Sequence, residues 1–353
     1  MLKDLRIQNY RGFEDFYIDG LARVNLIVGD NNIGKTSFLE AIYLLVNQDE
    51  YKRLLEVIYN HDDLIEERNL GMPYQPNIYG IYRIDNLFYG YRLELGKEIT
   101  IISEKDLSIK IIFRVKNLTK YDLFASEIGE LEIFYIKNNN REKPHSLIIQ
   151  EGGFLQIPDF TSFKNLKNNI FLSNKRLKTE DLASFWAEIT LTPKEEKIIN
   201  SLQIIEPDVE RINFTSNPAS KVQVIVKIKK YNYPIPLSSM GDGMRQILTL
   251  TMAAVNSENG VLLVDEIETG IHYKAQVDMW RLLMETAQEL NIQIFATTHS
   301  WDCICAFQEA LEEREDQSIG KLFRIDNKYG KLRSVEYTPD EIAVAVRQSI
   351  EVR

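Results

Sequence analysis

The sequence predicts an α/β fold built on a parallel core sheet, with an antiparallel β-rich lobe and a helical insertion. Three observations carry that expectation. In the second half, apolar strands alternate with helices: "GVLLVDE", a helical run from about 273 to 290, "IQIFATTH", then "WDCICAFQEALEE". That is the order of a parallel sheet covered on both faces. Near the start, the continuous apolar strand "VNLIVG" runs through "DNNIGKTS" into a helix with apolar residues at 38, 41, 42, 45 and 46, the spacing of one helical face. From about 78 to 158 the pattern becomes short alternating runs, among them "NIYGIYRID", "EITIISE", "LSIKIIFRV" and "GELEIFYIK", with turn signals between them.

The remaining elements follow in order. "LKDLRIQNYRGF" reads as a first strand and "FEDFYIDG" as its partner. Residues 179–205 read as helical, and in "TPKEEKIINSL" Thr192 is the expected N-cap, Pro193 the first helical residue and Glu195 the capping-box partner. "ERINF" and "KVQVIVKIKK" are strands, after which "PLSSMGDGMRQ" turns into a helix reaching Val255. The tail beyond "WDCICAFQEALEE" reads as a hairpin and a short helix. This divides the chain into an N-terminal lobe (1–178), a helical arm (179–210) and a C-terminal lobe (211–353).

With 353 residues, 44% hydrophobic and 27% charged, the composition is that of a globular chain able to bury a real core. The opening "MLKDLRIQNYRGF" has no apolar h-region and no run of eighteen apolar residues occurs, so a cytoplasmic chain without membrane contact is expected. A net charge of −10 repels phosphate backbones overall. Nucleic-acid binding would need a local basic patch, for which the stretch from Lys164 to Lys178 and the cluster Lys227, Lys229 and Lys230 are the candidates. Cys303 and Cys305 stand two apart in a helical run. That spacing turns them about 200° from each other, which favours two buried free thiols in a reducing compartment over a metal site.

"GDNNIGKTS" matches G-x-x-x-x-G-K-[ST] at Gly29, Gly34, Lys35 and Thr36, after a strand and at the head of a helix as the phosphate-loop motif requires. Gly29, Asn31, Asn32, Gly34, Lys35, Thr36 and Ser37 are the expected nucleotide-binding set. Their backbone N–H groups and the helix N-terminus make a nest for the β-phosphate. Lys35 would neutralise the β- and γ-phosphates, and the Thr36 hydroxyl would hold Mg²⁺. "GVLLVDE" ends in Asp265 and Glu266. Acids are expensive after a buried strand unless they have a task. Beside the phosphate-loop strand, Asp265 would reach the Mg²⁺ water shell and Glu266 the attacking water. "FATTHS" brings His299 to the same sheet edge, one strand further along. In "LSSMGDGMRQ", Ser238 and Ser239 offer hydroxyls, and Gly241 and Gly243 let the backbone approach a phosphate at a helix N-terminus. The turn suits a contact in trans to a neighbouring copy's nucleotide. Arg11, Gly12 and Phe13, ahead of the loop, are candidates for a wall around adenine or ribose.

The order "NYRGF … VNLIVGDNNIGKTSFLEAI … LSSMGDGMRQ … VLLVDEIETGIH … TTHS" resembles the ABC-type ATPases of the SMC and RecF group. It is most similar to the AAA-15/AAA-21 ATPases of OLD-family nucleases and related prokaryotic anti-phage systems. The specific signals cover roughly 1–50 and 236–302. The resemblance implies an ABC-type P-loop ATPase head that dimerises head to head with two ATP molecules sandwiched between the copies. It implies that Lys35 and Thr36 bind nucleotide and metal, Asp265 supports Mg²⁺, Glu266 is the general base, His299 is the γ-phosphate switch, and Ser239 with Gly241 makes the trans contact. The turn reads SSMGDG where the family has LSGGQ, leaving Ser238 and Ser239 both available. Gln48 and Gln75 both stand as Q-loop candidates, and Tyr273 replaces the proline usual after His272. The stretch after His299 is too short for the Toprim nuclease domain of OLD proteins, about a hundred residues. The expected function is therefore ATP hydrolysis with Mg²⁺ by a homodimer, with larger assemblies open, controlling a separately encoded nuclease or toxin effector in anti-phage defence. The alternative is a RecF-like DNA-binding repair ATPase.

Overall fold

The computed structural model describes residues 1–47, 52–60, 64–69, 78–103, 109–116, 127–137, 140–141, 145–150, 154–158, 168–173, 177–217 and 220–352. In chain order the first strands are β1 (Asp4–Tyr10), β2 (Phe13–Asp19), β3 (Val24–Val28), β4 (Leu64–Asn69), β5 (Ile78–Arg83), β6 (Glu98–Ser103), β7 (Ile109–Lys116), β8 (Glu127–Lys137), β9 (Asn140–Arg141), β10 (His145–Gln150) and β11 (Phe154–Pro158). They are followed by β12 (Asn169–Leu172), β13 (Val209–Asn217), β14 (Ser220–Ile228), β15 (Ile235–Pro236), β16 (Val261–Val264), β17 (Gln293–Thr297), β18 (Gly320–Lys328) and β19 (Lys331–Tyr337). The helices are α1 (Lys35–Val46), α2 (Lys52–Asn60), α3 (Thr179–Ile189), α4 (Lys194–Gln203), α5 (Asp242–Asn256), α6 (Tyr273–Glu289), α7 (Trp301–Glu312) and α8 (Pro339–Arg347). The chain forms two compact units: 1–21 with 31–166 and 325–335, and 22–30 with 167–324 and 336–353.

The first unit is built on an antiparallel sheet ordered β2-β1-β6-β7-β8-β10-β11-β5-β4, with β9 on β8. Its strands bury alternate residues, as β6 does with Ile99 and Ile101, because a pleated strand points successive side chains to opposite faces. Helix α1 packs on β6 and β7. A buried ion pair ties its interior to β1's end: Arg11 Nε lies 2.8 Å from Glu40 Oε2, and the Tyr10 hydroxyl donates to the same oxygen at 3.1 Å.

In the second sheet the order is β12-β16-β17-β3-β18-β19, and β12 through β18 pair in parallel. β3, β16 and β17 are buried throughout. The polar interruption in β3, Asn25, is fully satisfied. Its Oδ1 accepts from the Ala22 N–H at 2.8 Å, and its Nδ2 donates to the Ala22 and Ile294 carbonyls at 2.9 and 3.2 Å. One expectation is reversed here. The strand ending at Asp265 does not lie beside β3; β17 stands between them, so His299 follows the neighbouring strand and the two acids the next one out. A right-handed β16-α6-β17 crossover lands on either side of β16 depending on which sheet face α6 covers, and no local pattern in the sequence states that face.

The smaller antiparallel sheet β13-β14-β15 leads into the serine-glycine turn. Helix α4 begins one residue later than expected, with Pro193 in the cap position. Thr192 Oγ1 accepts from the Lys194 N–H at 3.3 Å, and the Glu195 carboxylate reaches the Leu191 N–H at 2.9 Å instead of Thr192. The cause is Leu191, held at φ +61°, which turns the chain so that its own amide faces the helix end. A reciprocal capping box forms at α8: Thr338 Oγ1 accepts from the Glu341 N–H, and Glu341 Oε2 accepts from the Thr338 N–H at 2.8 Å.

Both cysteines are free, but only Cys303 is buried; Cys305 is partly exposed. Lys227 is half-buried and Lys229 and Lys230 are exposed. In the other basic stretch Lys164, Lys167, Lys175 and Arg176, and likewise Gln48 and Gln75, lie outside the described residues. Among the described residues no helix is long and apolar enough to cross a membrane.

Candidate functional site

β3 delivers the chain from the buried sheet into the glycine loop. Gly29 stands at φ +146°, Asn32 at +62° and Gly34 at +100°. Gly34 is required twice over: its φ disfavours any Cβ, and a Cβ there would come 3.1 Å from the Phe13 ring. Helix α1 starts with no side-chain cap, and its first internal bond runs from the Phe38 N–H to the Gly34 carbonyl at 2.8 Å. Its first turn therefore presents backbone donors of the kind that bind anions. Lys35 is only 5% exposed, whereas Asn31 and Asn32 are exposed and Thr36 and Ser37 half-buried. A buried lysine at an uncapped helix start fits a polyanion.

The structure reassigns the residues ahead of the loop. Phe13 is fully buried and backs Gly34 instead of walling a base. Arg11, at φ +48°, is engaged with Glu40. Gly12 has open space around it.

At the carboxyl edge of the parallel sheet the ends of β16, β17 and β3 lie in a row. The Thr298 N–H donates to the Ile27 carbonyl at 3.2 Å, which joins the segment after β17 to the strand entering the loop. Thr297 organises the two acids. Its buried hydroxyl donates to Asp265 Oδ1 at 2.6 Å and accepts from the Glu266 N–H at 2.8 Å. The Ile267 N–H adds a bond to the Thr297 carbonyl at 3.1 Å. Glu266 is thereby held at φ +50°, a left-handed conformation that costs a residue with a Cβ about 1–3 kcal/mol. Asp265 is 8% exposed, while the Glu266 side chain is 46% exposed and its Oε1 lies 3.9 Å from His299 Nε2. The arrangement buries one acid as an anchor and offers the other to solvent beside an imidazole.

The same unit carries the serine-glycine turn. Ser238 and Ser239 are exposed in a single 3₁₀ turn, and Gly241 at φ +90° has nothing within 4 Å of a Cβ position. Helix α5 begins there without a side-chain cap. Behind the turn, a Cβ on Gly243 would stand 3.1 Å from the Gly270 carbonyl. The turn thus packs backbone to backbone on the loop that follows Glu266. A cleft of about 90 Å³ between them is lined in part by Asp242, Arg245, Asp265, Glu266 and Thr269.

The structure thus brings Gly29, Asp265, Glu266 and His299 to one sheet edge, and backs Gly243 onto the acid loop. Thr297 and Glu268 belong to this site and carry no signal in the sequence, since a threonine ending a strand reads as ordinary β preference. Each unit carries oxygen donors of the kind a hard cation such as Mg²⁺ takes, the Thr36 hydroxyl in the first and the Asp265 carboxylate in the second.

The chain is similar to known proteins. The chain is 25% identical over 369 aligned residues to an ATP/GTP phosphatase of Helicobacter pylori, covering 93% of this chain and 94% of that one. It is 23% identical to the DNA replication and repair protein RecF of Streptococcus uberis, covering 85% and 93%. Its fold is similar to the Smc head domain from Pyrococcus furiosus, solved with an extended coiled coil and bound to the C-terminal domain of ScpA. That match has a TM-score of 0.52 at 10% identity, over 99% of each chain. Residues 24–302 match the family described as AAA domain, putative AbiEii toxin, Type IV TA system; the chain belongs to that family and is an ATPase of the SMC and RecF-like ABC type.

Proposed function

We propose that the chain hydrolyses ATP as a homodimer in which each nucleotide is enclosed by the phosphate loop of one copy and the serine-glycine turn of the other. The observation that carries this reading is the Thr297-centred bonding, which presets Asp265 and Glu266 at the sheet edge two strands from β3. Gly29 through Ser37 would cradle the phosphates, with Lys35 neutralising the β- and γ-oxygens. Bound Mg²⁺, held by Thr36 and Asp265, would supply further charge neutralisation. Glu266 would take a proton from the attacking water as its oxygen bonds to the γ-phosphorus and the bond to the ADP oxygen breaks. His299 would face the γ-phosphate, and Ser239 with Gly241 and Gly243 would close the site from the second copy. Exposed serines at an uncapped helix N-terminus support that trans contact.

In this reading the chain controls a separately encoded effector, a nuclease or toxin, in anti-phage defence; the family description, which names a putative toxin and a TA system, supports the toxin association alone. Two free thiols support a cytoplasmic setting. The test is Glu266→Gln. ATP turnover should fall 10²–10⁴-fold, the span of general-base catalysis, while sedimentation with ATP shows a persistent dimer. A variant that hydrolyses normally, or stays monomeric with ATP, overturns the reading. The RecF similarity favours one alternative, a DNA-binding repair ATPase; ATP-dependent duplex binding that weakens steeply with salt would select it.

A further inference from the structure

We infer that Glu268 is a positioning residue that fixes His299 relative to Glu266. Its Oε1 accepts a hydrogen bond from the His299 backbone N–H at 3.0 Å. Its Oε2 is buried and has no hydrogen-bond partner among the described residues. A carboxylate oxygen withdrawn from water without a partner is costly, so the side chain is kept for what its other oxygen does. The surrounding amides are tied by other groups: Thr298 N–H to the Ile27 carbonyl at 3.2 Å, and Ser300 N–H to Thr298 Oγ1 at 3.0 Å. Glu268 supplies the tie at His299. Because Glu266 and Ile267 are bonded to Thr297, the chain from Glu266 to Glu268 and across to His299 forms a closed ring. That ring sets the 3.9 Å approach of imidazole to carboxylate. The adjacent charge has a second visible effect: after burial itself, Glu268 helps push the Cys303 thiol up.

The inference rests on the proposed role of His299 at the γ-phosphate. The full chain is assayed for ATP turnover as Glu268→Ala, Glu268→Asp and Glu268→Gln, alongside His299→Ala. In the alanine variant, and in the aspartate variant, whose shorter side chain falls short of the amide, kcat should drop at least tenfold with KM for ATP within threefold of wild type. The glutamine variant keeps an oxygen at the same reach and should stay within threefold on both. A spectroscopic readout is available because the chain has four histidines. In ¹⁵N-histidine-labelled protein the His299 amide, assigned by its loss in His299→Asn, should move upfield in Glu268→Ala and hold in Glu268→Gln. A wild-type kcat in Glu268→Ala, or glutamine as damaging as alanine, overturns the inference. So does a loss of turnover with the His299 amide unmoved. If His299→Ala itself turns over normally, the parent reading of the site fails; if His299→Ala is impaired and Glu268→Ala is not, only this inference does.

Discussion

Replacing Thr297 with valine removes one oxygen from the sheet edge and leaves the side chain's shape nearly intact. That oxygen makes two bonds: it donates to Asp265 Oδ1 at 2.6 Å and accepts from the Glu266 N–H at 2.8 Å. The first is a bond to a carboxylate, worth about 1.5–3 kcal/mol, and losing the second strands an amide at about 1–3 kcal/mol. The two losses share one hydroxyl and do not add fully, so the expected destabilisation is about 2–4 kcal/mol. For a domain of roughly 150–250 residues that lowers the melting temperature by about 2–4 °C per kcal/mol. Catalysis should suffer more than stability. Without the hydroxyl, Asp265 rotates and the strained φ of Glu266 relaxes, and a displacement of about 1 Å can cost about a hundredfold in rate. Thr297→Ser keeps the hydroxyl and should retain most of the turnover. Coupled-assay kcat and calorimetry on the two variants check this. Valine with wild-type kcat, or serine as impaired as valine, would refute the claim that this hydroxyl sets both acids.

Gly34→Ala places a methyl 3.1 Å from the Phe13 ring at φ +100°; nucleotide affinity measured by calorimetry should fall more than tenfold. Glu40→Ala leaves the buried Arg11 guanidinium without its carboxylate, and breaking such a pair costs about 3–5 kcal/mol, visible as an earlier urea midpoint. Burial pushes the Cys303 thiol from 9.0 up to about 12. The folded chain therefore holds that proton more tightly than the unfolded one. Stability is intact below about pH 9 and is lost as pH rises through about 12, a decline that Cys303→Ala should reduce. A thiol reagent at pH 8 should likewise modify the partly exposed Cys305 well before Cys303.

Much of this site is legible in the sequence because its parts are local. The glycine loop sits between a continuous apolar strand and a periodic helix, and Asp265 and Glu266 end a run of four buried residues, so neighbouring residues alone disclose them. What escapes is non-local. The insertion of β17 between β16 and β3 depends on which face α6 covers. Thr297 matters only because the parallel register sets it beside Asp265. Phe13 offers an exposed-looking aromatic in "NYRGF" and turns out to fill the space that Gly34 leaves. At α4, a left-handed Leu191 shifted the cap by one residue, a backbone choice that leucine does not advertise.

The close approach of Gly243 to the Gly270 carbonyl sets the start of α5 directly against the acid loop, with Asp242 beside Gly270. Segments in such direct contact would move together. In the dimer proposed above, a shift triggered by losing the γ-phosphate in one chamber would turn the clasp that serves the other, so both chambers would run on a single clock.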